Sequence, residues 1–250
     1  MAAAEVGFNP TPWMTRQSNV LINLASSSPK IIDEYAEELG EILGSDKREL
    51  FDSLQGAIVK GNIESIIEIL EGVGDEELYE LVDRASSSID KALKRMSIVR
   101  TLMGLHRQYR WVPFIRDPVL ALYYLSCLLR LAYLYTGNRI ARDASIITYA
   151  GAKIIRIIRE NLREAAKSSM YYYSGARLYL NGYREEGLSL IGWGLKEHLV
   201  IKPVESRKNV IEDPWVWSST LYVNYYTGLA PLVDGKLLES WGYFRLLEQG

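Results

Sequence analysis

In SPKIIDEYAEELGEILG, residues 28–44, the apolar side chains Ile31, Ile32, Tyr35, Leu39, Ile42 and Leu43 recur three and four positions apart. That spacing places them on one face of an α-helix. The same period returns in SDKRELFDSLQGAIVKG, in NIESIIEILEG and in DEELYELVDRA. No tract of alternating residues is long enough to build a sheet. The expected fold is therefore all-α: a multi-helix bundle or an array of helical hairpins with little or no β-sheet. Ser28 is expected to cap the first of these helices with Pro29 at its first position, where the missing N–H costs nothing. Ser45 and Asn62 are expected to open the next two helices, and Gly44, Gly61 and Gly72 to close the ends before the turns.

SSSIDKALKRMSIVRTLMGLHRQYRW predicts a longer helix starting near Ser88, ended by the Pro113 to Pro118 loop. PVLALYYLSCLLRLAYLYTG, residues 118–137, approaches the length of a membrane span but contains Arg130. An arginine inside a single span costs roughly 2.5–3.5 kcal/mol on insertion scales. A helix buried in a protein core, with Arg130 at its margin, is the better expectation, so no membrane partner is expected. The one cysteine, Cys127, lies in this run and forms no internal disulfide, which suits a reducing, cytoplasmic setting. The N-terminal MAAAEVGFNP has neither a basic start nor a long apolar stretch and does not read as a secretory signal. Low Gln content with abundant Ile, Tyr, Glu and Arg hints at a thermophilic source.

Two turns look alike, LYTGNR (134–139) and YLNGYR (179–184), and each precedes a similar helix, SIITYAGA from Ser145 and SLIGWGLK from Ser189. Helical-hairpin repeats have periods in this range, although two copies do not define a repeat family. The C-terminal part is rich in aromatics. DPWVWSSTLYVNYYTG fits a helix or a short strand, and DGKLLESWGYFRLLEQG fits a helix.

Charge is distributed unevenly. The chain carries a net charge of -2, yet residues 1–90 hold 18 acids and 6 bases, residues 91–184 hold 4 acids and 17 bases, and residues 185–250 hold 9 acids and 6 bases. An acidic helical bundle over 1–88 followed by a basic helical domain over 89–250 is the division this suggests. Such asymmetry points to a polyanionic partner, or to an acidic domain docked on a basic one.

The densest cationic stretch is NRIARDASIITYAGAKIIRIIRENLREAAK, residues 138–167. At 100° per residue, Arg139, Arg142, Lys153, Arg156, Arg163 and Lys167 fall within one arc of about 120°. Tyr149 shares that arc, where it is placed to stack on an exposed base. Ile140, Ala144, Ile147, Gly151, Ile154, Ile158 and Leu162 take the opposite side. A cationic edge over a wide apolar seam suits contacts to successive phosphates. It also suits an ordinary solvated helix face, since Arg and Lys are good helix formers whose stems cover apolar neighbours. Glu160 lies within the arc, and the acidic N-terminal helices are available to cover it.

Conventional catalytic motifs are scarce. Two histidines and one cysteine cannot make the usual N/S zinc set. GAIVKGN has the first glycine spacing of a P-loop but not its Lys-Ser/Thr. Asp33, Glu34, Glu37 and Glu38 read as a solvated face. His198 reads as a helix-end residue. Tyr171, Tyr172 and Tyr173, with Trp215, Trp217, Tyr222, Tyr225 and Tyr226, fit a core, a stacking platform or an interface.

RTLMGLH sets Arg100 and His106 six positions apart. This resembles the arginine-to-histidine motif of HEPN-domain ribonucleases, compact all-helical proteins. The resemblance implies metal-independent RNA cleavage by those two side chains meeting across a dimer. Thr101 stands where that family favours Asn, Asp or His. On an unbroken helix the pair lies about 120° apart, so convergence requires a local irregularity, with Gly104 its natural place.

The function these features suggest is that of a non-catalytic helical subunit or adaptor of a cytosolic complex. It would hold nucleic acid, RNA included, by its phosphate backbone through the basic helix face, without a cofactor or metal. Protein partners or self-association fit beside that role. The alternatives are a protein-interaction scaffold that binds no nucleic acid, and a HEPN-like ribonuclease using Arg100 and His106.

Overall fold

The computed structural model describes residues 18–44, 48–105, 117–160 and 162–198. The protein is all-α, with no strand among the described residues. Its helices are α1 (Ser18–Gly44), α2 (Arg48–Val59), α3 (Ile63–Gly72), α4 (Asp75–Arg95), α5 (Ser97–Leu105), α6 (Pro118–Thr136), α7 (Arg139–Glu160), α8 (Leu162–Leu180) and α9 (Arg184–His198). No helix among the described residues is long and apolar enough to cross a membrane. The C-terminal aromatic segments lie outside the described residues. Two compact units emerge, one from residues 18–31, 97–105 and 117–149, the other from 32–44, 48–96, 150–160 and 162–198.

In the first unit, α1 starts ten residues before the expected cap, so Pro29 lies inside the helix and Ser28 does not cap it. A proline there lacks the N–H that would reach the carbonyl four residues back, which is that of buried Ala25. Asn138 supplies the missing donor: its Nδ2 donates to Ala25 O at 3.0 Å. The Asn138 Oδ1 also caps α7, accepting from Ile140 N at 2.9 Å and Ala141 N at 3.4 Å. Around the proline, the Ser26 and buried Ser28 hydroxyls donate to the Ile22 and Leu24 carbonyls, the back-bonding that serine side chains make to the preceding helical turn. Tertiary contacts here override a local start signal.

Helix α6 opens on an Asp117 cap, whose Oδ1 accepts from Val119 N at 2.9 Å, with Pro118 at the first position. It packs on α5, and almost every described side chain along it is buried. Arg130 is not at the margin as its sequence position suggests. It is 4% exposed, with its guanidinium 5.0 Å from the Tyr133 ring centroid, the cation–π geometry that offsets part of a buried charge. Helices α6 and α7 run antiparallel: Ser126 Oγ donates to Ser145 O at 2.9 Å, and the Tyr123 and Tyr149 rings meet edge-on at 5.5 Å. The left-handed Gly137, at φ 75°, makes the turn between them.

In the second unit α8 is the central helix, packing on α2, α3, α4 and α9. Successive helical residues point about 100° apart, so a run buried all along means neighbours on most sides. Tyr171, Tyr172 and Tyr173 are all buried and each takes a different partner. Tyr171 meets Trp193 at 4.9 Å, Tyr172 meets Tyr35 at 5.9 Å, and Tyr173 meets Phe51 at 5.4 Å. The triple tyrosine is core, not a surface platform.

Helix α9 comes back along α8 at backbone contact distance. A Cβ on Gly175 or Gly187 would collide with the other's carbonyl oxygen, and one on Gly194 with the Tyr171 side chain. Ser168 Oγ donates to Gly194 O at 3.0 Å. Gly182, at φ 97°, turns the pair. Both look-alike turns thus place a left-handed glycine two residues before a helix start, at Arg139 and at Arg184. These starts come earlier than the serines at 145 and 189.

Asn62 caps α3 as expected, accepting from Ser65 N at 3.0 Å. Helix α4 begins at Asp75 but continues through Ser88 to Arg95, so the longer helix expected from Ser88 is the rest of α4 and then α5. Acids fill the first turn of α4, and Lys94 and Arg95 its last, the arrangement that favours the helix dipole. Arg95 also pairs with Glu38 at 2.9 Å.

Candidate nucleic-acid interface

Helix α7 turns its seam inward as its pattern predicts. In the first unit Ala141, Ala144 and Ile147 are buried, as are Gly151, Ile154, Ile155 and Ile158 in the second. The cations take the other side. Arg139 is exposed and Arg142, Lys153 and Arg156 are half-buried. Within each unit the helix period that buries the seam sets the neighbouring cations on a less buried side, Arg139 and Arg142 in the first and Lys153 and Arg156 in the second.

Several of these side chains are engaged inside the protein. The Arg142 Nε and guanidinium nitrogen each lie 2.9 Å from Asp143 Oδ1, with the Asp143 side chain 6% exposed. A charge-assisted contact to so buried a carboxylate holds Arg142 more firmly than a surface pair would. The Tyr149 ring is half-buried against Tyr123.

Lys167 lies on α8 rather than α7, since α7 is described to Glu160 and α8 from Leu162. Its Nζ is 2.6 Å from Glu71 Oε2 at the end of α3, and 3.9 Å from Asp75 Oδ1 at the start of α4. Glu71 Oε1 also accepts from the Tyr171 hydroxyl at 2.7 Å. Burial first, and then the Glu71 carboxylate, push the Tyr171 phenol well above its ordinary range. Arg163 belongs to α8 as well, and its side chain is outside the described residues.

This acidic partner of Lys167 is what sequence reasoning missed. Glu71 and Lys167 are 96 positions apart, and Glu71 looks like any other acid of a solvated helix. No spacing rule could have joined them.

Arg100 is exposed on α5 and His106 lies outside the described residues. The Thr101 hydroxyl donates back to Ser97 O at 2.8 Å. Gly104 lies within α5. Of the acids from Asp33 to Glu38, Asp33 and Glu37 are exposed and Glu38 pairs with Arg95. No group of three or more candidate metal ligands occurs among the described residues. Cys127 is buried, and that burial pushes its thiol up to about 12, the state of an inert structural cysteine.

Fold and surface together define a class, an all-α protein of antiparallel helical hairpins with a cationic helix edge. Set against known protein families, curated proteins and solved structures, the chain matches none.

Proposed function

We infer that the chain is a non-catalytic binding subunit or adaptor that contacts the phosphate backbone of a nucleic acid, RNA included, through the cationic residues of α7 and α8. The observation that carries this reading is the sidedness of α7. Most of its described apolar residues are buried, with Ile140 half-buried, while Arg139 is exposed and Arg142, Lys153 and Arg156 are half-buried. Binding of this kind is electrostatic and tolerant of sequence, because phosphates position a protein without carrying base identity. Arg139→Glu with Arg156→Glu tests it by fluorescence anisotropy with a labelled single-stranded RNA at low salt. The reading expects the wild-type chain to bind and the double variant, shown folded by circular dichroism, to lose that binding. Equal binding by both chains would remove the assigned surface.

A second reading, a scaffold that meets only proteins, draws support from the pairing of Arg142 with Asp143 and of Lys167 with Glu71. It predicts no RNA binding at any salt concentration and capture of a protein partner instead. A cytoplasmic setting belongs to either reading. The ribonuclease reading rests on Arg100 and His106 and predicts RNA cleavage in EDTA that His106→Ala abolishes.

A further inference from the structure

Lys167 reaches across from α8 to acids on two other helices, Glu71 of α3 and Asp75 of α4. Its ammonium lies 2.6 Å from Glu71 Oε2 and 3.9 Å from Asp75 Oδ1, and its side chain is 17% exposed against 42% and 89% for the two acids. Glu71 is not a loosely placed acid. Its second oxygen accepts from the Tyr171 hydroxyl at 2.7 Å, and Tyr171 is buried against Trp193. A carboxylate anchored at one oxygen presents the other to the ammonium as a phosphate oxygen would.

We propose that Glu71, held by Tyr171 and assisted by Asp75, is a built-in competitor that occupies Lys167 and must be displaced when the chain takes hold of a polyanion. This rests on the nucleic-acid reading above and adds to it a regulated cation. The acids of this pair are open to solvent, at 42% and 89% exposure, which keeps the pair weak, so incoming phosphates can displace it, and the lock sets a threshold on affinity without forbidding binding. Once Lys167 is released, Glu71 and Asp75 remain beside it and repel the incoming phosphate until Lys167 swings away. Removing the two charges therefore favours the bound state.

Glu71→Gln combined with Asp75→Asn tests this, because the amide oxygen that Glu71→Gln leaves in place still accepts from Tyr171. The lock predicts single-stranded RNA affinity on the order of fivefold tighter at low salt, the factor an exposed ion pair of ordinary strength supplies. In a Lys167→Gln background the two acid substitutions should tighten binding less, because only their own repulsion of the phosphate is then relieved. If the wild-type chain binds and the acid substitutions change nothing, or tighten equally in the Lys167→Gln background, the lock is wrong and the nucleic-acid reading stands. Binding by the acid-substituted chain alone would show the lock closed in the wild type. Binding by neither chain would overturn both proposals.

Discussion

Asn138 joins two helices with one side chain, and its two roles separate by mutation. Its Oδ1 caps α7 and its Nδ2 serves the Ala25 carbonyl that Pro29 leaves without a helical donor. Asn138→Ala removes both. A lost cap costs about 1 kcal/mol, and a buried carbonyl left unsatisfied costs about 1–3 kcal/mol, giving about 2–4 kcal/mol in all. Asn138→Asp keeps an acceptor at the helix start and loses only the amide donor, so about 1–3 kcal/mol is expected. Pro29→Ala decides whether the mechanism is right, because it restores a backbone N–H four residues beyond Ala25. In that background Asn138→Asp should cost almost nothing, and Asn138→Ala only the cap. Urea denaturation followed by far-UV circular dichroism measures the four corners of the cycle. Coupling of about 1–3 kcal/mol between positions 29 and 138 is expected. Costs for Asn138→Asp that agree in the two backgrounds would refute the argument.

The crossing of α8 and α9 predicts that Gly187→Ala is destabilising by about 1–3 kcal/mol in the same assay, despite alanine's better helix propensity, because the obstacle is the Gly175 carbonyl. Cys127, the one thiol of the chain, should resist a thiol reagent in the native protein at pH 8 and react at once in urea; fast native labelling would contradict its placement. Burial raises the phenols of Tyr35, Tyr124 and Tyr172 above their ordinary value of 10.0. Above that pH the unfolded chain releases protons that the folded chain retains, so stability is intact below about pH 9 and falls as pH rises. The slope should approach about 1.4 kcal/mol per pH unit for each such group. The share of the tyrosinate absorbance that belongs to these buried residues should therefore appear only with loss of helix, whereas their ionisation in an intact fold would contradict their burial.

Much of the architecture is legible in the sequence because it follows from local rules. Apolar residues at helical spacing identify the helices, Asn62 has the side chain an N-cap needs, and Gly61, Gly137 and Gly182 are the residues that adopt positive φ without cost. Pro29 misleads because a cap-and-proline pair marks a start only when no distant donor rescues the orphaned carbonyl. That donor, Asn138, is 113 positions away. Arg130 reads as marginal because a buried arginine is costly; the Tyr133 ring beneath it is one helical turn along, and spacing alone does not say that the pair sits in the core. The cationic side of α7 is legible for the same reason as its seam, since one period fixes both. Which cations are occupied within the protein is not, because Glu71 meets Lys167 only through the packing of α3 and α4 on α8.

The claim on which the functional account depends is that these cations meet phosphate. The most direct measurement is the affinity of the intact chain for a labelled single-stranded RNA across a salt series. Each neutralised phosphate contributes about 0.7 to the slope of log K against log salt, so four or five engaged cations predict a slope of about -3 to -3.5. A flat dependence, or no binding at the lowest salt, would contradict it.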